Sequence, residues 1–164
     1  MPSTIKIEGI VAEIRPMDAT YIVGDDGGAS GVNVEIQCCL GHAAWPNPPY
    51  VAYFRKSVEA YGSAAICAWQ DSNLVGFLPF IPLDCGMLRL PHCISARIDD
   101  RAAEIRKATP TPFADLRDRT LKVQCLSVAH RLQRRGIGTA MARELIDWAR
   151  ERGWHRVQGW AFAD

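Results

Sequence analysis

The feature that most constrains the fold is a glycine-containing segment, Arg131 to Met141 (RLQRRGIGTAM), between two apolar stretches. The run LKVQCLSVA at 121–129 precedes it and has the length and apolar character of a strand buried on both faces. A helical pattern over 136–152 follows the segment, and residues 154–163 then predict another buried strand. Strand, loop, helix and strand in this order predict a right-handed crossover unit.

The helix of this unit has clear boundaries in the sequence. Gly153 suits a left-handed C-terminal cap, and Arg150 and Arg152 lie in the last turn, where positive charge complements the negative helix end. Its apolar side chains recur on one stripe, formed by Ile137, Met141, Leu145, Trp148 and Ala149.

The glycine segment at the start of this helix has the chemistry of an anion site. The first backbone N–H groups of a helix have no partner within it, and the helix dipole adds partial positive charge, so phosphate is a natural ligand. Gly136 and Gly138 have no Cβ and permit close approach to the backbone. Arg134 and Arg135 supply charge-assisted bonds to phosphate oxygens, and Arg131 is a further candidate.

Two common phosphate motifs do not fit this segment. A Walker loop requires Gly-Lys-Ser/Thr, whereas Gly138 is followed directly by Thr139. A dinucleotide fingerprint requires Gly-x-Gly-x-x-Gly, and Met141 occupies the place of its third glycine.

With its flanking strand and helix, the segment resembles the signature of the GCN5-related N-acetyltransferases (GNAT), Gln/Arg-x-x-Gly-x-Gly/Ala. The matching residues are Gln133, Gly136 and Gly138. The resemblance covers about residues 119–163 and is weaker over 1–82. It implies a single α+β (mixed α/β) domain over 1–164, with a mostly antiparallel central sheet flanked by helices and a parallel, splayed strand pair around the acyl-CoA loop.

The resemblance also implies a ligand and a reaction. Acetyl-CoA would place its pyrophosphate on the backbone amides of residues 134–139 and its pantetheine arm along the preceding strand, with sheet-like bonds to Leu126 and Val128. A primary amine of a small molecule or peptide would attack the thioester directly in a ternary complex, and a backbone N–H would polarise the carbonyl oxygen. The residues implied for the cofactor are Leu126, Ser127, Val128, Gln133, Arg134, Arg135, Gly136, Ile137, Gly138 and Thr139.

The catalytic residues are unassigned, because the sequence departs from the family pattern. Lys122 occupies the position at which some members carry a glutamate general base. Glu35, Asp84 and His92 are alternatives, as is a water relay.

Two further departures concern the length of the segments. The chain stops at Asp164, where the family continues with a helix, often carrying a tyrosine acid, and closing strands. We therefore expect that this C-terminal helix and these strands are missing from the sequence, or that another chain, as in a homodimer, covers the open sheet edge. Residues 82–118 are expected to form an insertion relative to the family.

The first part of the chain is assigned from local patterns. Alternation predicts a strand at 4–15, and a glycine-rich run predicts a loop at 24–31. Residues 32–41 fit a strand or a helix. Prolines predict a loop over 45–49, and apolar positions at helical spacing predict a helix over 50–61.

The middle of the chain begins with a hairpin. Its strands are predicted at 64–70 and 74–81, with an irregularity or an unpaired edge at Pro79. Residues 83–95 are expected to be irregular or to form a short ribbon, and 96–107 are predicted to form an exposed helix before a proline-rich break.

Composition excludes several classes of protein. A formal net charge of +1 over 164 residues disfavours a globally basic nucleic-acid binder. No apolar run of about 18 residues occurs in the sequence, so no membrane association through a spanning helix is expected. Six cysteines without a repeating spacing, and no secretory signal, predict reduced thiols in a cytoplasmic protein.

No metal site is predicted, because the candidate ligands lack paired Cys-x-x-Cys spacing. The two groups considered are Cys38, Cys39 and His42, and Cys85, His92 and Cys93. The remaining conspicuous side chains are predicted to be core residues, namely Cys125, Trp148, Trp154 and Trp160.

Two functions remain as alternatives to catalysis. A non-catalytic module would bind CoA or acyl-CoA through the same loop, as a regulatory or interaction domain. Binding of nucleic acid or another anionic ligand through Arg131–Arg135 would show a steep salt dependence, and the nearly neutral net charge disfavours it.

Overall fold

The computed structural model describes residues 3–7, 10–18, 33–36, 48–83 and 107–159. Within these ranges a mixed sheet is flanked by two helices, which confirms the predicted α+β class. The strands are β1 (Ser3–Ile7), β2 (Ile10–Pro16), β3 (Asn33–Val34), β4 (Ala65–Gln70), β5 (Asn73–Pro82), β6 (Thr120–Val123), β7 (Ser127–Val128) and β8 (Arg156–Gln158). The helices are α1 (Pro48–Tyr61) and α2 (Ile137–Glu151), and short 3-10 helices span Phe113–Asp115 and His130–Leu132.

Strand β5 organises the sheet. The order of the main path is β1-β2-β4-β5-β6-β8, and β3 and β7 also pair with β5. The pairs from β1 to β6 along this path are antiparallel, whereas β6 and β8 are parallel. The parallel pair is joined through α2, so the predicted crossover unit is confirmed.

The two helices cover opposite faces of the sheet. Phe54 of α1 packs against Phe77 of β5, with ring centroids 6.4 Å apart. Helix α2 lies over the neighbouring Gly76, where an added Cβ would be 2.9 Å from the Sδ of Met141. Because successive strand residues point to opposite faces, these contacts place α1 and α2 on different sides. The absence of a side chain at Gly76 lets α2 approach β5 closely.

The amphipathic stripe of α2 is confirmed, since all five of its predicted apolar residues are buried. The predicted cap is confirmed as well. Gly153 has a φ of +77°, and the N–H of the following Trp154 donates to the carbonyl of Ala149 at 2.9 Å. This bond satisfies one of the last helical carbonyls.

Trp154 lies in an aromatic cluster with Tyr61 and Phe113. Its ring meets those of Tyr61 and Phe113 edge-on, at centroid distances of 5.5 Å and 5.1 Å. The Tyr61 hydroxyl donates to the carbonyl of Thr111, and the Arg119 guanidinium lies over the Phe113 ring. The cluster thus joins the end of α1, the segment before β6 and the segment after α2.

The prediction of one strand at 4–15 is wrong, because the structure has two strands, β1 and β2, paired antiparallel. The sequence contains a signal for the break. Apolar residues occupy odd positions at Ile5 and Ile7 but even positions at Ile10, Ala12 and Ile14. This change of phase marks the junction between two strands, whose register pairs Ile5 with Ala12 and Ile7 with Ile10.

The predicted helix at 50–61 is confirmed but begins earlier, at Pro48. The loop prediction is therefore wrong for Pro48 and Pro49. Both prolines lie in the first turn, where the backbone N–H groups have no helical partner and a missing donor costs little. Residues 45–47 lie outside the described residues.

The predicted hairpin is confirmed as β4 and β5, joined at Asp71 and Ser72, with Asp71 in the left-handed region at φ +54°. The register shifts between Ala68 and Trp69. Pro79 does not lie at an edge, because β5 is paired on both sides. The expected irregularity occurs instead in the strand opposite Pro79.

Several predictions fall outside the described residues. They are the loop at 24–31, the irregular segment at 84–95, the helix at 96–106, Trp160 and the six candidate metal ligands. Of the ambiguous segment at 32–41, Asn33–Val34 forms strand β3. Among the described residues, no helix has the length and apolar character needed to cross a bilayer.

Candidate functional site

The predicted continuous strand at 121–129 is interrupted in the structure. Residues 124–126, which we call the strand break, separate β6 from β7. Val123 is opposite Phe80 and Ser127 is opposite Phe77, so three residues of the break face two residues of β5. One extra residue in an antiparallel pair is a β-bulge.

The prediction of a strand buried on both faces is wrong at this point. Leu126 is 51% exposed, and Cys125, predicted to be a core residue, is half-buried with its Sγ 3.3 Å from the Oγ of Ser127. The hydrophobic run does not reveal the break, because Cys125 and Leu126 within it are themselves apolar.

The break determines which backbone groups face away from β5. The Gln124 N–H donates to the Pro79 carbonyl at 2.8 Å, and the Ala129 N–H donates to the Val75 carbonyl at 2.8 Å. Antiparallel ladders alternate in direction, so the N–H and C=O of Val128, one residue before Ala129, point away from β5.

The backbone N–H and C=O of Leu126 also point away from β5, because Leu126 directly precedes Ser127, whose backbone is bonded to β5. None of the described residues accepts a hydrogen bond from the Leu126 N–H. Leu126 and Val128 are the two residues predicted to bond the pantetheine arm, and both present backbone groups away from β5. The backbone of Ser127 is directed toward β5.

A cavity of about 540 Å³ opens beside the break. Strands β6 and β8 pair from Thr120 opposite Arg156 to Lys122 opposite Gln158. The cavity runs along this pair and is lined mainly by apolar side chains of β6, the break, β8 and α2, including Val123, Leu126, Leu145, Ile146 and Val157. The cavity thus adjoins the strand pair that is predicted to splay.

The glycine loop begins with the 3-10 helix His130–Leu132 and ends at the N-terminus of α2. Arg134 and Gly136 have positive φ angles, +60° and +79°. Gly136 is the N-cap residue, and its carbonyl accepts the first helical bond from Ala140 at 2.9 Å. The following backbone N–H groups have no helical partner, as an anion site requires.

The loop and the strand break are in direct contact. An added Cβ at Gly138 would lie 3.3 Å from the Cδ2 of Leu126, which is tighter than an ordinary carbon–carbon contact. The Gln133 side chain turns back toward the strand, and its Nε2 donates to the carbonyl of Val128 at 3.1 Å. Gln133 therefore ties the loop to β7 through its side chain.

The side chains of the other predicted loop residues differ in exposure. Arg134 and Thr139 are exposed, Arg135 is half-buried and Ile137 is 2% exposed. Ile137 packs into the core, so a contribution from this residue to a ligand would come from its backbone.

Arg131 contacts Glu35, a residue considered above as a general base. The Nε of Arg131 lies 2.7 Å from Oε2 of Glu35, which joins the segment after β3 to the start of the loop. The hydrogen bond and the positive charge of Arg131 hold the pKa of Glu35 below its usual range. A lowered pKa makes the carboxylate a weaker proton acceptor, so this geometry disfavours Glu35 as the base. Asp84 and His92 lie outside the described residues.

This ion pair predicts a pH dependence. The folded-state pKa of Glu35 is depressed, so its contribution to stability is present above the pKa of the unfolded chain and is lost as pH falls through the folded-state value. We expect the difference in unfolding free energy between wild type and Glu35→Gln to shrink in acid. An NMR titration of the Glu35 carboxyl should show a depressed midpoint that returns to the usual range in Arg131→Gln; an unshifted midpoint in wild type would contradict the ion pair.

Sequence reasoning missed the strand break, although Pro79 was a partial signal for it. A proline in a central strand removes one ladder hydrogen bond, and the interruption occurs in the partner directly opposite. Within the described part of the chain, no group of three His, Cys, Asp or Glu side chains is arranged to hold a metal ion.

The fold and site define an α+β protein with a glycine loop and helix N-terminus set against a bulged central strand. A family model described as the acetyltransferase (GNAT) family matches residues 33–164, and the chain belongs to this family. The GNAT domain of S. lividans PAT, with a TM-score of 0.53 and 14% identity, shares the fold over 96% of this chain and 77% of that one.

A second solved structure is the ribosomal-protein-alanine N-acetyltransferase of Brucella melitensis biovar Abortus 2308. It is 28% identical, with a TM-score of 0.36, over 60% of this chain. This chain spans 50% of the length of that protein. The comparison with curated proteins gave no match.

Proposed function

We propose that this protein transfers an acetyl group from acetyl-CoA to a primary amine by direct attack in a ternary complex. The observation that carries the proposal is the contact between the glycine loop and the strand break, with Leu126 against Gly138. Membership of the GNAT family supports the reaction class. In this proposal the loop would bind the pyrophosphate and the strand break would bind the thioester end of one extended ligand.

The cofactor-binding roles follow from the backbone. The N–H groups at the start of α2, near Gly136 and Gly138, would bind the pyrophosphate, and Arg134 and Arg135 would add positive charge. The outward backbone groups of Leu126 and Val128 would bond the pantetheine amides in the manner of a neighbouring strand.

The chemistry is a simple acyl exchange. The neutral amine nitrogen attacks the thioester carbon, the C–S bond breaks, and the CoA thiolate leaves and takes a proton as the new amide loses one. The Leu126 N–H, directed away from β5, is suited to stabilise the negative charge that develops on the carbonyl oxygen. The chain would contribute mainly positioning and this donor.

Two observations favour a second function, that of a CoA-binding module without turnover. Lys122 stands where a glutamate base occurs in some members, and Glu35 is bonded to Arg131. A water relay would supply the base in the catalytic case, whereas a binding module would need none.

Thermal unfolding with acetyl-CoA, and with ATP and NAD as controls, tests the cofactor. At one hundred times its dissociation constant, a ligand adds about 2.7 kcal/mol of stability. We expect acetyl-CoA alone to raise the melting temperature. Release of free CoA thiol in the presence of a panel of small amines and peptides then separates the two functions, since a binding module would show stabilisation without thiol release. Absence of any stabilisation would contradict both.

A further inference from the structure

We propose that Pro79 is a positioning residue that maintains the strand break and so selects which backbone groups face the cavity. The structural part of this inference rests on the backbone of β5, β6 and β7. Its consequence for catalysis rests on the proposed function.

Pro79 and Gln124 form only one of the two backbone hydrogen bonds that an antiparallel hydrogen-bonded pair normally has. The Pro79 carbonyl accepts the Gln124 N–H at 2.8 Å, but proline has no N–H to donate in return. The Gln124 carbonyl receives no hydrogen bond from any described residue. The Gln124 carbonyl is therefore not held by the ladder, and the chain can insert one extra residue there.

Without the extra residue, different backbone groups would face away from β5. If the pairing of Phe80 with Val123 continued without an extra residue, Phe77 would face Leu126 instead of Ser127. Hydrogen-bonding direction alternates along a strand, so Leu126 and Val128 would then turn their backbone groups toward β5. Cys125 and Ser127 would face outward in their place. The donor proposed for the carbonyl oxygen would be lost.

The break also determines the contact with the loop. The Leu126 side chain reaches the Gly138 backbone in the bulged register, at 3.3 Å from an ideal Cβ position. A slip of one residue moves a side chain to the opposite face of the sheet. The same slip would therefore remove Leu126 from the loop, which links Pro79 to both halves of the proposed site.

The test restores the missing N–H with Pro79→Ala and Pro79→Val, the second of which retains more of the buried volume. Pro82→Ala is the matched control in the same strand. Pro82 faces Leu121, and because the neighbouring Leu83 N–H donates to Thr120, an N–H restored at position 82 would point away from β6. Amide hydrogen exchange by NMR is measured on the protein without ligand.

In the Pro79 variants, the Leu126 amide is expected to exchange at least about tenfold more slowly, because it would enter the ladder. The Pro82→Ala variant should leave it unchanged. Unchanged exchange in every Pro79 variant that folds would overturn the inference, whatever the activity. A wild-type protein that neither binds nor uses acetyl-CoA would contradict the proposed function while leaving this result intact.

With acetyl-CoA and an accepted amine, the Pro79 variants should lose about 100-fold in kcat, the effect of removing one oxyanion donor. The KM for the amine should change much less. Slower Leu126 exchange together with a wild-type kcat would overturn the catalytic part of the inference.

Discussion

Replacing Gly136 by valine is expected to weaken acetyl-CoA binding by at least about tenfold, which corresponds to 1.4 kcal/mol. Gly136 has a φ of +79°, a conformation that β-branched residues strongly disfavour. Its backbone also begins the turn of α2 that would bind the pyrophosphate. The substitution therefore strains the loop and adds bulk where a phosphate would approach, and isothermal titration calorimetry measures the result.

Gly153→Val is the matched control for this experiment. Gly153 has a φ of +77° at the opposite end of the same helix, and an added Cβ there would make an ordinary contact of 3.7 Å with the Phe113 ring. Both variants should lose about 1–3 kcal/mol of unfolding free energy through backbone strain. Equal losses of affinity in the two variants would show that strain, rather than ligand approach, is responsible, and the assignment of the loop would fail.

The second large effect is expected in stability. Trp154→Ala should lower the unfolding free energy by about 3–5 kcal/mol, the usual cost of truncating a buried tryptophan. Trp154 is 6% exposed and packs edge-on against Tyr61 and Phe113. Its truncation would remove the ring contacts that join the segment after α2 to the other two segments of the cluster, and denaturant unfolding monitored by circular dichroism measures the loss.

Two controls accompany this variant. Trp154→Phe keeps an aromatic ring, and no described residue accepts a hydrogen bond from the indole N–H, so its cost should be much smaller than that of alanine. His155→Ala changes an exposed neighbour and should stay within about 0.5 kcal/mol of wild type. A loss below 1 kcal/mol for Trp154→Ala would contradict the packing of the aromatic cluster.

The helix and its loop were predictable because several local signals agree. The stripe from Ile137 to Ala149, Gly153 at the C-terminal end and the glycines at the N-terminus all predict the same element. The motif also predicts the family, which the match over residues 33–164 confirms. These signals depend on residues close together in sequence.

The strand break could not be predicted from its own residues. Val123, Leu126 and Val128 read as one apolar strand, and the bulge depends on the partner strand, more than forty positions earlier in the chain, where Pro79 lacks a donor. The pairing of Arg131 with Glu35 has the same origin, since it joins residues 96 positions apart. Contacts of this kind are set by the tertiary arrangement and leave little local trace.

The hydrogen bond from Gln133 to Val128 has a consequence for how a ligand would be held. It links the loop and the strand across five residues, and Leu126 packs against Gly138 beside it. The two surfaces proposed to bind the ends of acetyl-CoA therefore belong to one preorganised unit. Binding of a ligand that spans both surfaces would immobilise few additional torsions of the protein. More of the contact energy would therefore appear as affinity.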